Sequence, residues 1–178
     1  MDYHIKEEKS YKYIESSPGK ENLMLLHGLF GALSNFKGII DAFGEKYNVV
    51  VPILPIYELP ILQVSLTGLV NHLQSFVDYK GFDKLHVVGN SLGGHIGLIY
   101  SLQDLERIST LTLTGSSGLY ESGLGNSFPK RGDYEFMKKK TEQTFYDPAV
   151  ATKELVDEVY EIVNDKNKAI RVIYTAKS

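Results

Sequence analysis

An α/β fold is predicted for this chain: a mostly parallel sheet threaded by helices and followed by a helical region. Three features predict it. Short segments are apolar at consecutive positions, segments between them are apolar at helical spacing, and no convincing strand pattern survives beyond Gly118. A run apolar at every position suits a strand buried on both faces, the condition of a parallel sheet covered by crossover helices. Regular alternation of such strands with helices favours right-handed parallel connections.

The elements follow in order. Tyr11, Tyr13 and Ile14 alternate with Lys12 and Glu15, which reads as an exposed strand ending at the turn Ser16-Ser17-Pro18-Gly19. Leu23-Met24-Leu25-Leu26 is a buried strand closed by His27-Gly28. A helix is expected near Ser34 to Phe43, with Ser34 as N-cap and Phe36, Ile39, Ile40 and Phe43 on one face. Asn48 to Val51 is the next strand, stopped by Pro52 and Pro55. Leu66, Leu69, Val70, Leu73, Phe76 and Val77 mark an amphipathic crossover helix. Lys84 to Gly89 is a third buried strand, Leu92 to Leu102 a Gly-rich helix, and Ile108 to Thr114 a fourth strand of the alternating series. The chain then turns Gly-, Ser- and Asn-rich, and Tyr134 to Phe145, Thr152 to Val163 and Asn167 to Ala176 read as helices. The division is thus a core over 1–118 and a helical segment over 119–178.

Composition narrows the function. At 178 residues the chain has the length of one ordinary domain, and 43% hydrophobic with 23% charged residues is typical of folded, water-soluble proteins. A net charge of -3 without a basic stripe argues against a nucleic-acid partner, and Lys138-Lys139-Lys140 reads as a solvated helix face. With no cysteine there is no disulfide framework and no thiolate metal site; neither a metal-ligand cluster nor a dinucleotide fingerprint appears, so no cofactor is expected. The charged N-terminus is unlike a signal peptide and no apolar run approaches a membrane span, which makes the cytoplasm the expected location and a membrane an unexpected partner.

The sharpest chemical signal is Gly89-Asn90-Ser91-Leu92-Gly93, a Gly-x-Ser-x-Gly turn entered by a buried strand and left by a helix. Small residues two before and two after the serine let the backbone pass closely around a strained residue and leave the Ser91 hydroxyl exposed above the sheet. A nucleophile there needs two backbone N–H donors for the negative oxygen that forms. Leu92 supplies the first. The loop His27-Gly28-Leu29-Phe30-Gly31 supplies the second, from Leu29 in preference to Phe30, with His27 bracing the loop rather than acting as a base.

These segments resemble the α/β-hydrolase superfamily, in particular its lidded branch of serine esterases and carbon–carbon bond hydrolases. His27-Gly28 matches that branch's oxyanion loop and Gly89-Asn90-Ser91-Leu92-Gly93-Gly94 its nucleophile turn. Val51-Pro52-Ile53-Leu54-Pro55 resembles a stretch that in relatives often reads Pro-Asp-Leu-Pro-Gly; Ile53 and Ile56 depart from it, which touches the pocket wall. A serine at position 91 argues against epoxide hydrolases and haloalkane dehalogenases, whose nucleophile is aspartate. The resemblance runs from about Leu23 through Ser178. It implies helices on both faces of the sheet, a helical lid over 119–178 with Phe30, Tyr120, Phe128, Phe136 and Tyr146 at the lid or pocket, and a small-molecule substrate.

It also implies a catalytic acid and a histidine after Ser91. The one histidine there is His95, a turn into the following helix and expected to pack, and Gly115, Ser116 and Ser117 hold no carboxylate. The last strands and both triad partners are therefore expected beyond Ser178, leaving the chain inactive alone. Its open sheet edge at Ile108 to Thr114 would be met by a C-terminal segment or by a homodimer. A non-catalytic small-ligand module or an inactive hydrolase fragment is the rival reading. Esterase, carbon–carbon hydrolase and perhydrolase chemistries stay open, as does the substrate.

Overall fold

The structure, a computed structural model, describes residues 4–30, 36–119 and 130–178. Among these, the strands are β1 (Lys6–Glu8), β2 (Tyr11–Glu15), β3 (Asn22–Leu26), β4 (Asn48–Pro52), β5 (Leu85–Asn90) and β6 (Ile108–Thr114). The helices are α1 (Lys37–Phe43), α2 (Leu66–Lys80), α3 (Leu92–Gln103), α4 (Tyr134–Glu142), α5 (Lys153–Asn164) and α6 (Lys166–Lys177). The chain separates into two compact units, residues 1–120 with 178, and residues 121–177.

In the first unit the strands form one sheet in the order β1-β2-β4-β3-β5-β6. The pairs β4–β3, β3–β5 and β5–β6 are parallel, whereas β1–β2 and β2–β4 are antiparallel. Side chains alternate across each strand, so a run apolar throughout feeds two cores at once. Met24 and Leu26 point to one face, with Val50 and Val87, and pack under α2 and α3 through Leu69, Leu73, Phe76, Ile96 and Tyr100. Leu23 and Leu25 point to the other, with Val49 and Val51, under Ile40 of α1 and Phe36, the residue just before it. Helices thus cover both faces.

Helix ends follow their local chemistry. Ser65 caps α2 by accepting from the Gly68 amide, and Gly81, in the left-handed conformation with φ 64°, closes it.

Two expectations are corrected. The opening strand is not exposed: β2 lies inside the sheet between β4 and β1, which is short and unforeseen, and Tyr13 is buried on one face against Phe76 of α2 while Ile14 is buried on the other in the cluster with Phe36 and Ile40. Phe43 does not join the buried face of α1; it is exposed and lies near Tyr47, since α1 is only seven residues long and Phe43 is its last. The proposed cap Ser34 lies outside the described residues.

The second unit, taken by itself, holds α4, α5 and α6, with α5 packed against both others. Asp133 caps α4 at the Phe136 amide and Thr152 caps α5 at the Leu155 amide. The Tyr134 ring meets Tyr160 edge-on at 5.2 Å, and its hydroxyl donates to Asp157 at 2.6 Å. No strand occurs here among the described residues.

Candidate active site

Ser91 stands between the last residue of β5 and the first of α3, with φ 53° and ψ -120°. A left-handed φ on a residue with a Cβ costs about 1–3 kcal/mol and persists only where surrounding bonds over-determine it. They do so here. The Ser91 amide donates to the Thr114 carbonyl at 3.1 Å, while its carbonyl accepts from the amides of Gly94 (3.0 Å), His95 (3.2 Å) and Ser117 (3.2 Å). The Asn90 side-chain amide adds a bond to the Thr114 carbonyl at 3.1 Å. The end of β6 and the turn after it therefore hold the serine in place. Its own hydroxyl caps nothing in α3, and the residue is only half-buried.

Close approach explains the glycines around it. A Cβ on Gly93 would stand 2.1 Å from the Leu26 carbonyl oxygen, so the first turn of α3 lies directly on the backbone at the end of β3. A Cβ on Gly89 would stand 2.6 Å from Gly93 and Gly94 backbone atoms. A Cβ on Gly28 would reach to 3.1 Å from the Ser91 Cβ, which places the loop after β3 in contact with the serine.

That loop is held by its own histidine. The His27 Nε2 accepts from the Leu54 amide at 2.9 Å, and an amide can only donate, so Nε2 carries no proton. Nδ1 is then protonated and donates to the Gly28 carbonyl at 2.9 Å. Burial pushes the ring below the ordinary imidazole range, outweighing the bond to Gly28. A buried neutral ring with both nitrogens engaged is a brace and has no lone pair to offer as a base.

Leu92 is the first residue of α3, so its amide is one of the helix donors without an intrahelical acceptor. The Leu29 amide likewise makes no backbone hydrogen bond among the described residues. Leu29 and Phe30 are half-buried and Leu92 is buried. The His95 ring lies over Gly118 in the turn after β6. No imidazole or carboxylate among the described residues hydrogen-bonds the Ser91 hydroxyl. Nor does any group of three or more His, Asp or Glu side chains there have the arrangement to hold a metal ion.

A profile of the alpha/beta hydrolase fold family matches residues 21–145. The chain belongs to the α/β-hydrolase family. This α/β-hydrolase is 38% identical to MGS-MChE2, an alpha/beta hydrolase enzyme from a lagoon-sediment metagenome at Mar Chica, Morocco; the TM-score is 0.75, over 98% of this chain and 65% of that one. It is 30% identical over 155 residues to a 2-hydroxy-6-oxo-6-phenylhexa-2,4-dienoate hydrolase from Burkholderia cepacia, covering 76% of this chain and 54% of the relative. It is 25% identical to the dihydrolipoyllysine-residue acetyltransferase component of an acetoin cleaving system from Cupriavidus necator, covering 83% of this chain and 41% of that protein. The chain therefore spans about half, or less, of these two curated relatives.

The structure brings Ser91, Gly28, Gly89, Gly93, His27 and Leu92 of this α/β-hydrolase together around one turn. Tyr120 and Phe128 lie outside the described residues. Phe136 is half-buried in the second unit, with the Lys130 and Lys140 ammonium groups 5.4 and 5.9 Å from its ring centre. Tyr146, expected at the lid or pocket, lies in the second unit between the end of α4 and the Asp147-capped turn at Pro148–Val150 and is fully exposed. In the stretch after β4, Ile56 is buried in the core beside Leu54, while Ile53 is half-buried. That stretch supplies the Leu54 amide to His27 and the Tyr57 hydroxyl to the Leu29 carbonyl, at 2.8 Å. Neither contact was foreseen, and no spacing rule points to Tyr57. A separate cavity of about 340 Å³, lined by Glu15, Lys80, Asn22 and Asn48, lies at the opposite ends of the strands, where those polar groups already serve one another.

No helix among the described residues is long and apolar enough to cross a membrane.

Proposed function

We propose that this chain carries the nucleophile and oxyanion half of a serine hydrolase acting on a small ester or related carbonyl substrate. Ser91 attacks the carbonyl carbon, and the Leu29 and Leu92 amides receive the oxygen as it gains charge. The observation that carries this reading is the locked, left-handed backbone of Ser91 at the head of α3, with the Gly28 loop against it. Such strain has no packing purpose; it lifts a hydroxyl clear of the sheet. The acid and base of the triad come from outside this chain, a reading supported by the absence of an imidazole partner for Ser91 among the described residues and by the greater length of the relatives. The chain alone is inactive on this account, since a serine hydroxyl without a base is a poor nucleophile at neutral pH.

Hydrolysis of p-nitrophenyl acetate by the longer polypeptide that contains these residues tests the proposal. Ser91→Ala should lower kcat by about 10⁴-fold or more, as loss of a triad serine does elsewhere. Unchanged turnover would remove Ser91 from the mechanism. The second reading is a non-catalytic small-ligand module, favoured by the same missing imidazole. The Burkholderia relative's name also makes a 6-oxo dienoate a second substrate class to assay with the same pair of proteins.

A further inference from the structure

Two hydrogen bonds hold the loop after β3 at consecutive carbonyls, one from the loop's own His27, itself fixed from the segment after β4, and one directly from that segment. His27, fixed by the Leu54 amide, donates to the Gly28 carbonyl; the Tyr57 hydroxyl donates to the Leu29 carbonyl at 2.8 Å. A peptide group is planar, with its C=O and the next N–H pointing in opposite directions. Holding the Gly28 carbonyl therefore aims the Leu29 N–H, and holding the Leu29 carbonyl aims the Phe30 N–H. The two planes flank the Leu29 Cα, so fixing both fixes φ and ψ of Leu29 together. With one anchor alone, the other peptide could rotate about that Cα.

The segment that provides the anchors is itself rigid. Leu54 and Ile56 are buried, the Ile56 amide donates to the Leu54 carbonyl at 2.8 Å, and the Leu59 amide donates to the Pro55 carbonyl at 3.1 Å. It thus forms a tight knuckle, with one tooth on His27 and one on Leu29.

We propose that Tyr57 is a positioning residue of the oxyanion loop, whose hydroxyl, by holding the Leu29 carbonyl, completes with His27 the pair of anchors that fix φ and ψ of Leu29 and so keep its donor amide from swinging away. This rests on the serine-hydrolase reading above and adds a residue to it. Donors aimed in advance at the developing charge accelerate only the step in which that charge appears, so loss of the anchor should slow chemistry and leave ground-state binding nearly unchanged. Tyr57→Phe removes the hydroxyl and keeps the ring.

The test is the rate of phosphonylation of Ser91 by an alkyl fluorophosphonate in the longer polypeptide, resolved into a limiting rate and a half-saturating concentration. Tyr57→Phe is expected to lower the limiting rate about tenfold, less than loss of a whole oxyanion donor, with the half-saturating concentration within about twofold. Its melting temperature should lie within about 2 °C of the parent's, since one half-exposed hydroxyl bond contributes little to stability. An unchanged limiting rate would overturn the proposal, as would a rate loss matched by a large fall in melting temperature, which marks a merely structural contact. Failure of the parent polypeptide to react at Ser91 would remove the serine reading itself and this proposal with it. Reaction at Ser91 with an unaltered Tyr57→Phe rate would remove only the proposal.

Discussion

Gly28 lies so close to Ser91 that a methyl group on its Cα would stand 3.1 Å from the serine Cβ and 3.5 Å from the Asn90 carbonyl oxygen. Contacts of that length force one side to give by a few tenths of an ångström. Ser91 cannot, held as it is by the Thr114 carbonyl on its amide and three amides on its carbonyl. The loop must move instead, and with it the Leu29 amide. Gly28→Ala should therefore lower kcat/KM of the longer polypeptide about tenfold while costing about 1 kcal/mol or less of stability. Ester hydrolysis and urea unfolding of the same variant check both halves.

Gly93 presents a different case. A methyl group there would meet the Leu26 carbonyl oxygen at 2.1 Å and the His27 carbonyl oxygen at 2.6 Å, both backbone atoms with nowhere to retreat. Gly93→Ala should separate α3 from β3 and cost at least about 3 kcal/mol, at the severe end for a single substitution. A urea midpoint close to that of the parent would show that the helix can slide aside.

The consecutive apolar runs of β3 and β4 and the helical spacing of α2 were legible because burial on both faces, or on one stripe, leaves a period in the sequence. The serine turn was legible because its glycines are required by contacts within a few residues and across one neighbouring strand. β1 was not, since Lys6-Glu7-Glu8 has no apolar period and pairs through its backbone. The burial of Tyr13 depends on α2, whose Phe76 packs against it, information that lies dozens of residues away. Tyr57 is the clearest loss: its role rests on one hydroxyl reaching a carbonyl 28 positions earlier, and nothing in the local sequence distinguishes it from other tyrosines.

The histidines predict how stability depends on pH. Burial lowers the pKa of both His27 and His72 in the folded chain from an ordinary value of 6.5. Between that value and the folded one, the unfolded chain binds more protons than the folded chain, so stability rises with pH there. The contribution is fully present above about pH 6.5 and is lost as pH falls through the folded pKa values. The urea midpoint should drop between pH 7.5 and 5.5. Replacing both residues by Gln should flatten that slope, and an equal slope in the double variant would assign it to other groups.

The outer edge of β6 carries a proposal about association. Ile108 to Thr114 contains neither a charge nor a proline, β6 is the last strand of the sheet among the described residues, and Thr110, Thr112 and Thr114 are exposed. Bare edges of that kind template pairing with another strand. Residues 1–178 expressed alone should sediment as concentration-dependent oligomers, and Thr112→Lys should shift them toward monomer. A monomer at all concentrations would show that the edge is already guarded.

The central claim is that Ser91 is the nucleophile, and site-mapped labelling tests it most directly. The longer polypeptide is treated with a fluorophosphonate, digested, and the modified peptide sequenced by mass spectrometry. The adduct should fall on Ser91, disappear in Ser91→Ala, and fail to form on residues 1–178 alone, where no imidazole or carboxylate among the described residues hydrogen-bonds the hydroxyl. An adduct on a different serine, or a Ser91→Ala variant that labels as fast as the parent, would contradict the account.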